Sequence, residues 1–406
     1  METKIKIVRV FNRFILGGPS LNVSFLTQFL SSSFETKLII GSKDTDEQEA
    51  VELIKRYGIE FTEVTEMKRA INLIEDFKAY IKIKQIIKDT NPSIVHTHAS
   101  KPGAIGRMAA SSCKVPIILH TYHGHVFHSY FGTIKTFIYL KIEQFLARKS
   151  TRVIAISEQQ KYELATIHKI CNKNKIVVIP LGLDLDAFYQ NQIEKRLAFR
   201  QKYNIADNEV VIGIIGRLVS IKNHSLFINA IGAVLKKTTN KIKIIIVGDG
   251  DERQNIMTLL TKLNIEYNYY PDDNNCKTVT LTSWLTNMDE VYAGLDIVAL
   301  SSLNEGTPVS LIEAQAACKP IVTTNVGGVV DVVLENKTAF ITQSNEVGAF
   351  ANALLRLVES KALRDEMGKI GYDHVKDKFD KSRLVNDMEN LYNQLLREKG
   401  LLPSEK

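Results

Sequence analysis

The feature that most constrains this chain is a succession of short, wholly apolar runs separated by stretches with helical periodicity. KIKIVRVF, TKLIIG, PSIVHTH, PIILHTYH, RVIAIS and KIVVIP mark the first half, and EVVIGIIGRL, KIKIIIVGDG, TVTLTSW, LDIVALSS, KPIVTTN and TAFIT mark the second. A strand that is apolar throughout, rather than at alternate positions, must be covered on both faces, and intervening helices supply that cover. The pattern therefore predicts an α/β protein with two doubly wound parallel sheets. The strand signal lapses over Leu181 to Glu209, so the linker is expected near the start of that segment, with one domain over residues 1–185 and a second over 186–379. The last stretch, FDKSRLVNDMENLYNQLLREKG, reads as an amphipathic helix over about 380–400. Its apolar positions Leu384, Met388, Leu391 and Leu395 need a partner surface, and the helix is expected to pack back on the first domain. Ligands of such sheets lie beyond the carboxyl ends of the strands, which places the expected site between two facing sheets, in a central cleft.

With 406 residues and 45% hydrophobic content the chain can bury a sizeable core. Cys113, Cys171, Cys276 and Cys318 are scattered without metal-ligand spacing, so reduced thiols are expected, with neither disulfide nor zinc. METKIKIVRVF runs straight into a strand pattern, and no stretch of 18 uncharged apolar residues occurs, which leads us to expect a cytoplasmic protein. The net charge of +7 comes without a basic block interleaved with aromatics. An anionic small substrate or a membrane surface is thus a better match than nucleic acid.

The densest chemistry lies in EGTPVSLIE, where Glu305 and Glu313 flank a helix start. Val309 to Ala317 is a run of good helix formers, with Thr307 expected at the N-cap and Pro308 at the first helical position. The amides of Val309, Ser310 and Leu311 then form an anion site, with Gly306 in the turn before them. A single acid near a helix start more often answers the dipole alone. Two acids around a phosphate-ready turn reach different points along one bound molecule. Arg217 and Lys222, just after the run VVIGII, are two long cations able to converge on the same anion, and Gly17 and Gly18 offer backbone amides from the first domain.

EGTPVSLIEA together with GRLVSIKNHSLFINA resembles the retaining nucleotide-sugar glycosyltransferases of family 4, which have the GT-B fold of two Rossmann-like domains. The resemblance spans nearly the whole chain and takes in LGGPS, HTYHGH, IPLGLD, GRL…K, IIIVGDGDE and the Glu-x7-Glu element in family order. It implies that Glu305 contacts the donor sugar, that Glu313 holds the nucleotide ribose, and that His123 faces the reacting sugar. Trp284 would lie where the base, uracil in a UDP donor, is bound. An ionised carboxylate only accepts, so it suits a vicinal diol. Fixed cations at Arg217 and Lys222 would stabilise a leaving diphosphate more in the transition state than before it. The chain departs from the family where PSLNV follows the glycine turn in place of an acidic-basic pair, leaving the acceptor contacts near Ser20 and Asn22 open.

No cofactor is expected, the nucleotide-sugar being a substrate, and no metal. The Asp184-x-Asp186 and Asp249-x-Asp251 strings sit in a hinge and a turn, and the histidines of HTYHGHVFHSYF (His120, His123, His125, His128) lack a helical ligand pattern. His96 and His98 end another strand and are read as satisfying buried polar groups. The acceptor is expected to be a saccharide or a polyprenyl-linked sugar of cell-surface polysaccharide. EMKRAINLIEDFKAYIKIKQIIK and IKTFIYLKIEQFLARKSTR mix basic and large apolar residues, and peripheral contact with the inner face of the cell membrane is expected of them. Two other readings share the fold: a UDP-sugar 2-epimerase, and a non-catalytic nucleotide-sugar sensor. An NAD dehydrogenase is disfavoured because LGGPSLNV lacks the Gly-x-Gly-x-x-Gly spacing.

Overall fold

A computed structural model describes residues 4–14, 18–42, 51–123, 133–272 and 277–403. Gly17, His125, His128 and Cys276 lie outside these residues. The chain divides into two units, Met1–Leu183 with Phe379–Lys406 and Asp184–Lys378.

The first unit holds β1 (Ile5–Val10), β2 (Phe34–Gly41), β3 (Phe61–Val64), β4 (Ile94–His98), β5 (Ile117–Thr121), β6 (Arg152–Ala155) and β7 (Ile176–Val178) in the order β3-β2-β1-β4-β5-β6-β7. The second holds β8 (Val210–Ile215), β9 (Ile242–Val247), β10 (Tyr267–Tyr269), β11 (Val279–Leu281), β12 (Ile297–Leu300), β13 (Ile321–Thr324) and β14 (Ala339–Thr342) in the order β10-β11-β9-β8-β12-β13-β14. The paired strands in both sheets run parallel. β4, β5, β9 and β12 are buried at every position, as strands covered on both faces must be.

The strand order reverses between β1 and β4 in the first sheet and between β8 and β12 in the second. At such a point the crossover helices leave in opposite directions and open a crevice at the carboxyl ends of the strands. β3 and β10 are absent from the apolar runs of the sequence. Both are edge strands of three or four residues, β3 buried only at Val64 and β10 only at Asn268, and neither carries an apolar signature.

The terminal helix Lys381–Glu398 starts at an Asp380 N-cap, whose side chain accepts from the Ser382 amide, and belongs to the first unit. Leu384, Met388, Leu391, Tyr392 and Leu395 join Ile7, Phe25, Leu38, Ile94 and Leu119 in one core cluster. Where the chain leaves and re-enters this unit, the Leu183 amide donates to the Phe379 carbonyl at 2.8 Å and the Lys381 amide to Leu183 at 3.0 Å. Asn22 closes the same corner. Its Nδ2 donates to the Gly182 carbonyl at 3.4 Å and its Oδ1 accepts from the Gly182 amide at 3.3 Å, so this side chain ties the first helix (Gly18–Gln28) to LGLD.

Candidate functional site

In the second unit the loops after β8, β9, β12 and β13 meet at the switch point. Lys222 ends a short 3₁₀ turn (Ser220–Lys222), and the Ser301 hydroxyl holds the Lys222 carbonyl at 2.9 Å. The Leu303 amide donates to the Ile221 carbonyl at 2.8 Å. These bonds fasten the loop after β8 to the loop after β12. Lys222 Nζ thereby lies 2.5 Å from Glu305 Oε1, and the Ser302 hydroxyl donates to the same oxygen at 2.6 Å. Among the described residues nothing bonds to Glu305 Oε2, which leaves that oxygen as an acceptor for a ligand.

The backbone around Glu305 is gripped from β13. The Gly328 amide donates to the Glu305 carbonyl at 3.2 Å. A Cβ on Gly327 would fall 1.9 Å from the Glu305 carbonyl oxygen, one on Gly328 2.0 Å from that of Gly306, and Gly327 has φ +48°. Only glycines let the loop approach this closely.

The helix Val309–Ala316 starts one residue later than Pro308 at the first helical position would give. Pro308 has φ −73° but ψ 94°, which makes it, rather than Thr307, the N-cap, with no side-chain capping bond. Its carbonyl takes the Leu311 amide at 3.0 Å, so Leu311 is withdrawn from the anion site. The amides of Val309 and Ser310 make no backbone bond among the described residues and remain open at the dipole's positive end. Thr307 is half-buried and Gly306 stands in open space.

Glu313 is the fifth residue of this helix and half-buried. Burial raises its pKa to about 7, opposed by a hydrogen bond from the Tyr292 hydroxyl. That hydroxyl lies 3.0 Å from the Ser310 carbonyl as well. The Arg217 side chain is exposed and forms no ion pair or hydrogen bond among the described residues, so the structure brings Lys222, and not Arg217, onto Glu305. Trp284 is 55% exposed and is no core residue. It follows Ser283, whose carbonyl accepts from the Gly248 amide at 2.9 Å, so the backbone that carries Trp284 runs beside the loop after β9. The Asp249 carboxylate is taken up by the Gly250 amide, Ser283 and Arg253.

The first unit gathers a polar cluster at its own switch point. Gly18 opens the helix after β1. His98 Nδ1 lies 2.9 Å from His123 Nε2 with the rings stacked, while His120 turns to the other face, 2.9 Å from Thr97 Oγ1. Burial holds His123 down to about 4 and His96, His98 and His120 well below their usual value, so all four imidazoles are neutral at pH 7. His96 and His98 are thus more than fillers of buried polar space, because they connect His123 to Arg9 and Tyr392. Sequence reasoning missed Ser302, Gly327, Gly328, Arg9 and Tyr392. For the first three the signal was available in SSLNEGT and NVGG, and for the last two there was none.

The family model "Glycosyltransferase Family 4" matches residues 24–187, and "Glycosyl transferases group 1" matches residues 195–374. The Escherichia coli protein "UDP-Gal:alpha-D-GlcNAc-diphosphoundecaprenol alpha-1,3-galactosyltransferase" is 30% identical over 82% of this chain and 83% of its own length. The Staphylococcus aureus "Capsular polysaccharide biosynthesis glycosyltransferase CapM" is 28% identical over 85% and 88%. Among solved structures, Anabaena Alr3699/HepE in complex with UDP superposes with a TM-score of 0.79 at 18% identity, covering 96% of this chain and all of that one. A glycosyltransferase from Rickettsia africae superposes with a TM-score of 0.77 at 21% identity, covering 97% and 99%.

Proposed function

This chain belongs to the family 4 glycosyltransferases, and from that premise we propose that it moves a sugar from a UDP-sugar to a lipid-linked saccharide with retention at the anomeric carbon. The observation that carries this reading is the Glu305 carboxylate, with Oε1 bonded to Lys222 and Ser302 and Oε2 open, beside a helix start with two open amides. Oε2 accepts from a hydroxyl of the transferred sugar. The diphosphate lies over Val309 and Ser310, with Lys222 and Arg217 to meet its charge. Glu313 takes the ribose diol, and Trp284 stands by the base. His123, with Gly17 and Gly18, serves the sugar and diphosphate from the first unit.

As the bond from the anomeric carbon to the β-phosphate oxygen breaks, negative charge grows on the leaving UDP. Fixed cations and helix amides stabilise it most at that moment. Retention requires the acceptor hydroxyl to form its bond on the face that UDP leaves, and the departing phosphate oxygen is the base placed to take the hydroxyl proton. Lys222, Arg217 and the open amides of Val309 and Ser310 would meet the diphosphate's charge, so a divalent metal would add little. Among the described residues no group of three His, Cys, Asp or Glu side chains is placed to hold one.

The E. coli relative's name supplies the acceptor class, a sugar on a polyprenyl diphosphate. Among the described residues no helix is long and apolar enough to cross a membrane, and such an acceptor would be met at the bilayer surface. The test is a panel of UDP- and GDP-sugars, with and without a polyprenyl-diphosphate-linked sugar, in excess EDTA. Transfer from one UDP-sugar with the anomeric configuration kept, lost by at least ~100-fold in Glu305→Gln, is the expected result. An inverted product, or activity abolished by chelation and restored by Mg²⁺, would overturn it.

A further inference from the structure

Arg9 lies fully buried on β1, and no carboxylate pairs with it among the described residues. A guanidinium only donates. Its Nη2 donates to the Leu26 carbonyl at 2.8 Å, while its Nη1 lies 3.0 Å from His96 Nδ1 and 3.3 Å from His98 Nε2. Both of those ring nitrogens must therefore accept. A neutral imidazole that accepts on one nitrogen carries its proton on the other. His96 then presents Nε2–H, 2.8 Å from Thr121 Oγ1, and the single lone pair of its Nδ1 is shared between Arg9 and the Tyr392 hydroxyl, which lies 2.7 Å away. His98 presents Nδ1–H, 2.9 Å from His123 Nε2. Because His98 donates there, His123 Nε2 accepts, and the proton of His123 is left on Nδ1. That nitrogen is buried and has no partner among the described residues.

We propose that Arg9, acting through His98, locks His123 in the Nδ1–H form, so that His123 meets the bound sugar as a hydrogen-bond donor and not as a proton acceptor. The proposal rests on the reading above in which His123 faces the transferred sugar. Arg9 and His98 are positioning residues. Without Arg9, His98 is free to turn its proton to Nε2 and accept from His123, which would present a bare Nδ1 lone pair to a sugar oxygen.

The first measurement needs no substitution at Arg9, whose loss would leave its buried partners unpaired: long-range ¹H–¹⁵N correlation spectra of the full chain labelled with ¹⁵N-histidine, assigned with His98 and His123 single variants. Protons on Nδ1 of His98 and His123 and on Nε2 of His96 are expected at pH 7. A proton on Nε2 of His123 overturns the proposal. The second compares His98→Asn, whose amide places an N–H near the position of Nδ1, with His98→Leu, which has no donor. The Asn variant should keep kcat within about threefold of the unsubstituted protein, and the Leu variant should lose roughly tenfold or more, the worth of one buried hydrogen bond. Equal kcat in the two variants, high or low, overturns it. If the unsubstituted protein transfers no sugar from any donor, the proposed function has failed, while the ring spectra still decide the tautomer.

Discussion

In its proposed role on the ribose, Glu313 would tie stability to binding through a single carboxylate. Its folded pKa of about 7 lies above the ordinary value of 4.5 because burial penalises the ionised form. Between those two values the folded chain holds the proton more tightly than the unfolded one, so this group's contribution to stability is present below about pH 4.5 and is lost as pH rises through about 7. Glu313→Gln should therefore raise the thermal midpoint at pH 8 and leave it nearly unchanged at pH 4.5. Binding runs the other way. Only the ionised carboxylate accepts both hydrogens of a diol, so affinity for a UDP-sugar should fall roughly tenfold between pH 8 and pH 6, and the Gln variant should bind weakly with a flatter profile. Calorimetric titration of both proteins at the two pH values checks this, and parallel profiles would remove Glu313 from the ribose. The spacing of Glu305 and Glu313 was legible because one turn and part of one helix separate them, where sequence distance limits spatial distance, whereas Lys222, 83 positions from Glu305, meets it only through the fold. Arg9 and Tyr392 lie 383 positions apart and meet only through the fold, so no local pattern announces them.

At the scale of elements, the buried strands were legible, and so were the edge strands β7 and β14 through KIVVIP and TAFIT, whereas the edge strands β3 and β10 were not, since they lack a continuous apolar run. Helix faces were legible only in part. The helix Leu73–Thr90 buries Ala79, Ile83 and Ile87, yet it exposes a second apolar set, with Leu73 at 84%, Ile74 at 70% and Phe77 at 63%. The helix Thr133–Lys149 likewise exposes Phe137, Ile138, Ile142 and Phe145. Both pack beside the helix Ser100–Ser112 and so belong to one layer of the first unit. Core packing accounts for one face of each helix and leaves the other unexplained, and nearby Lys141 and Lys149 suit an anionic bilayer, while Lys78 and Lys82 are paired with Glu75 and Glu66. The chain should float with phosphatidylglycerol vesicles, less with phosphatidylcholine ones, and less in high salt. Leu73→Ser with Phe77→Ser should reduce flotation several-fold while UDP binding is unchanged. Equal flotation of variant and parent would rule these helices out as the contact.

At the scale of the whole molecule, the two sheets share no strand and each has its own core, and the chain leaves the first unit at Leu183 and returns to it at Phe379. The apolar spacing of the terminal helix could be read from the sequence, and its four named positions are buried. What spacing alone could not give is that the helix completes a cluster begun near residue 7, with Leu395 fully buried there. Leu395→Ala removes buried methyl groups from a site walled by several elements, which limits collapse and should cost about 2–5 kcal/mol. That cost falls on the first unit, because Leu395 belongs to that unit's cluster and not to the second unit's. Hydrogen exchange resolved by peptide should show faster exchange in β1, β2 and β4, with β8, β9 and β12 keeping their protection. An equal rise in both sets would mean that the two units open as one, and that the terminal helix supports the second unit as much as the unit it packs against.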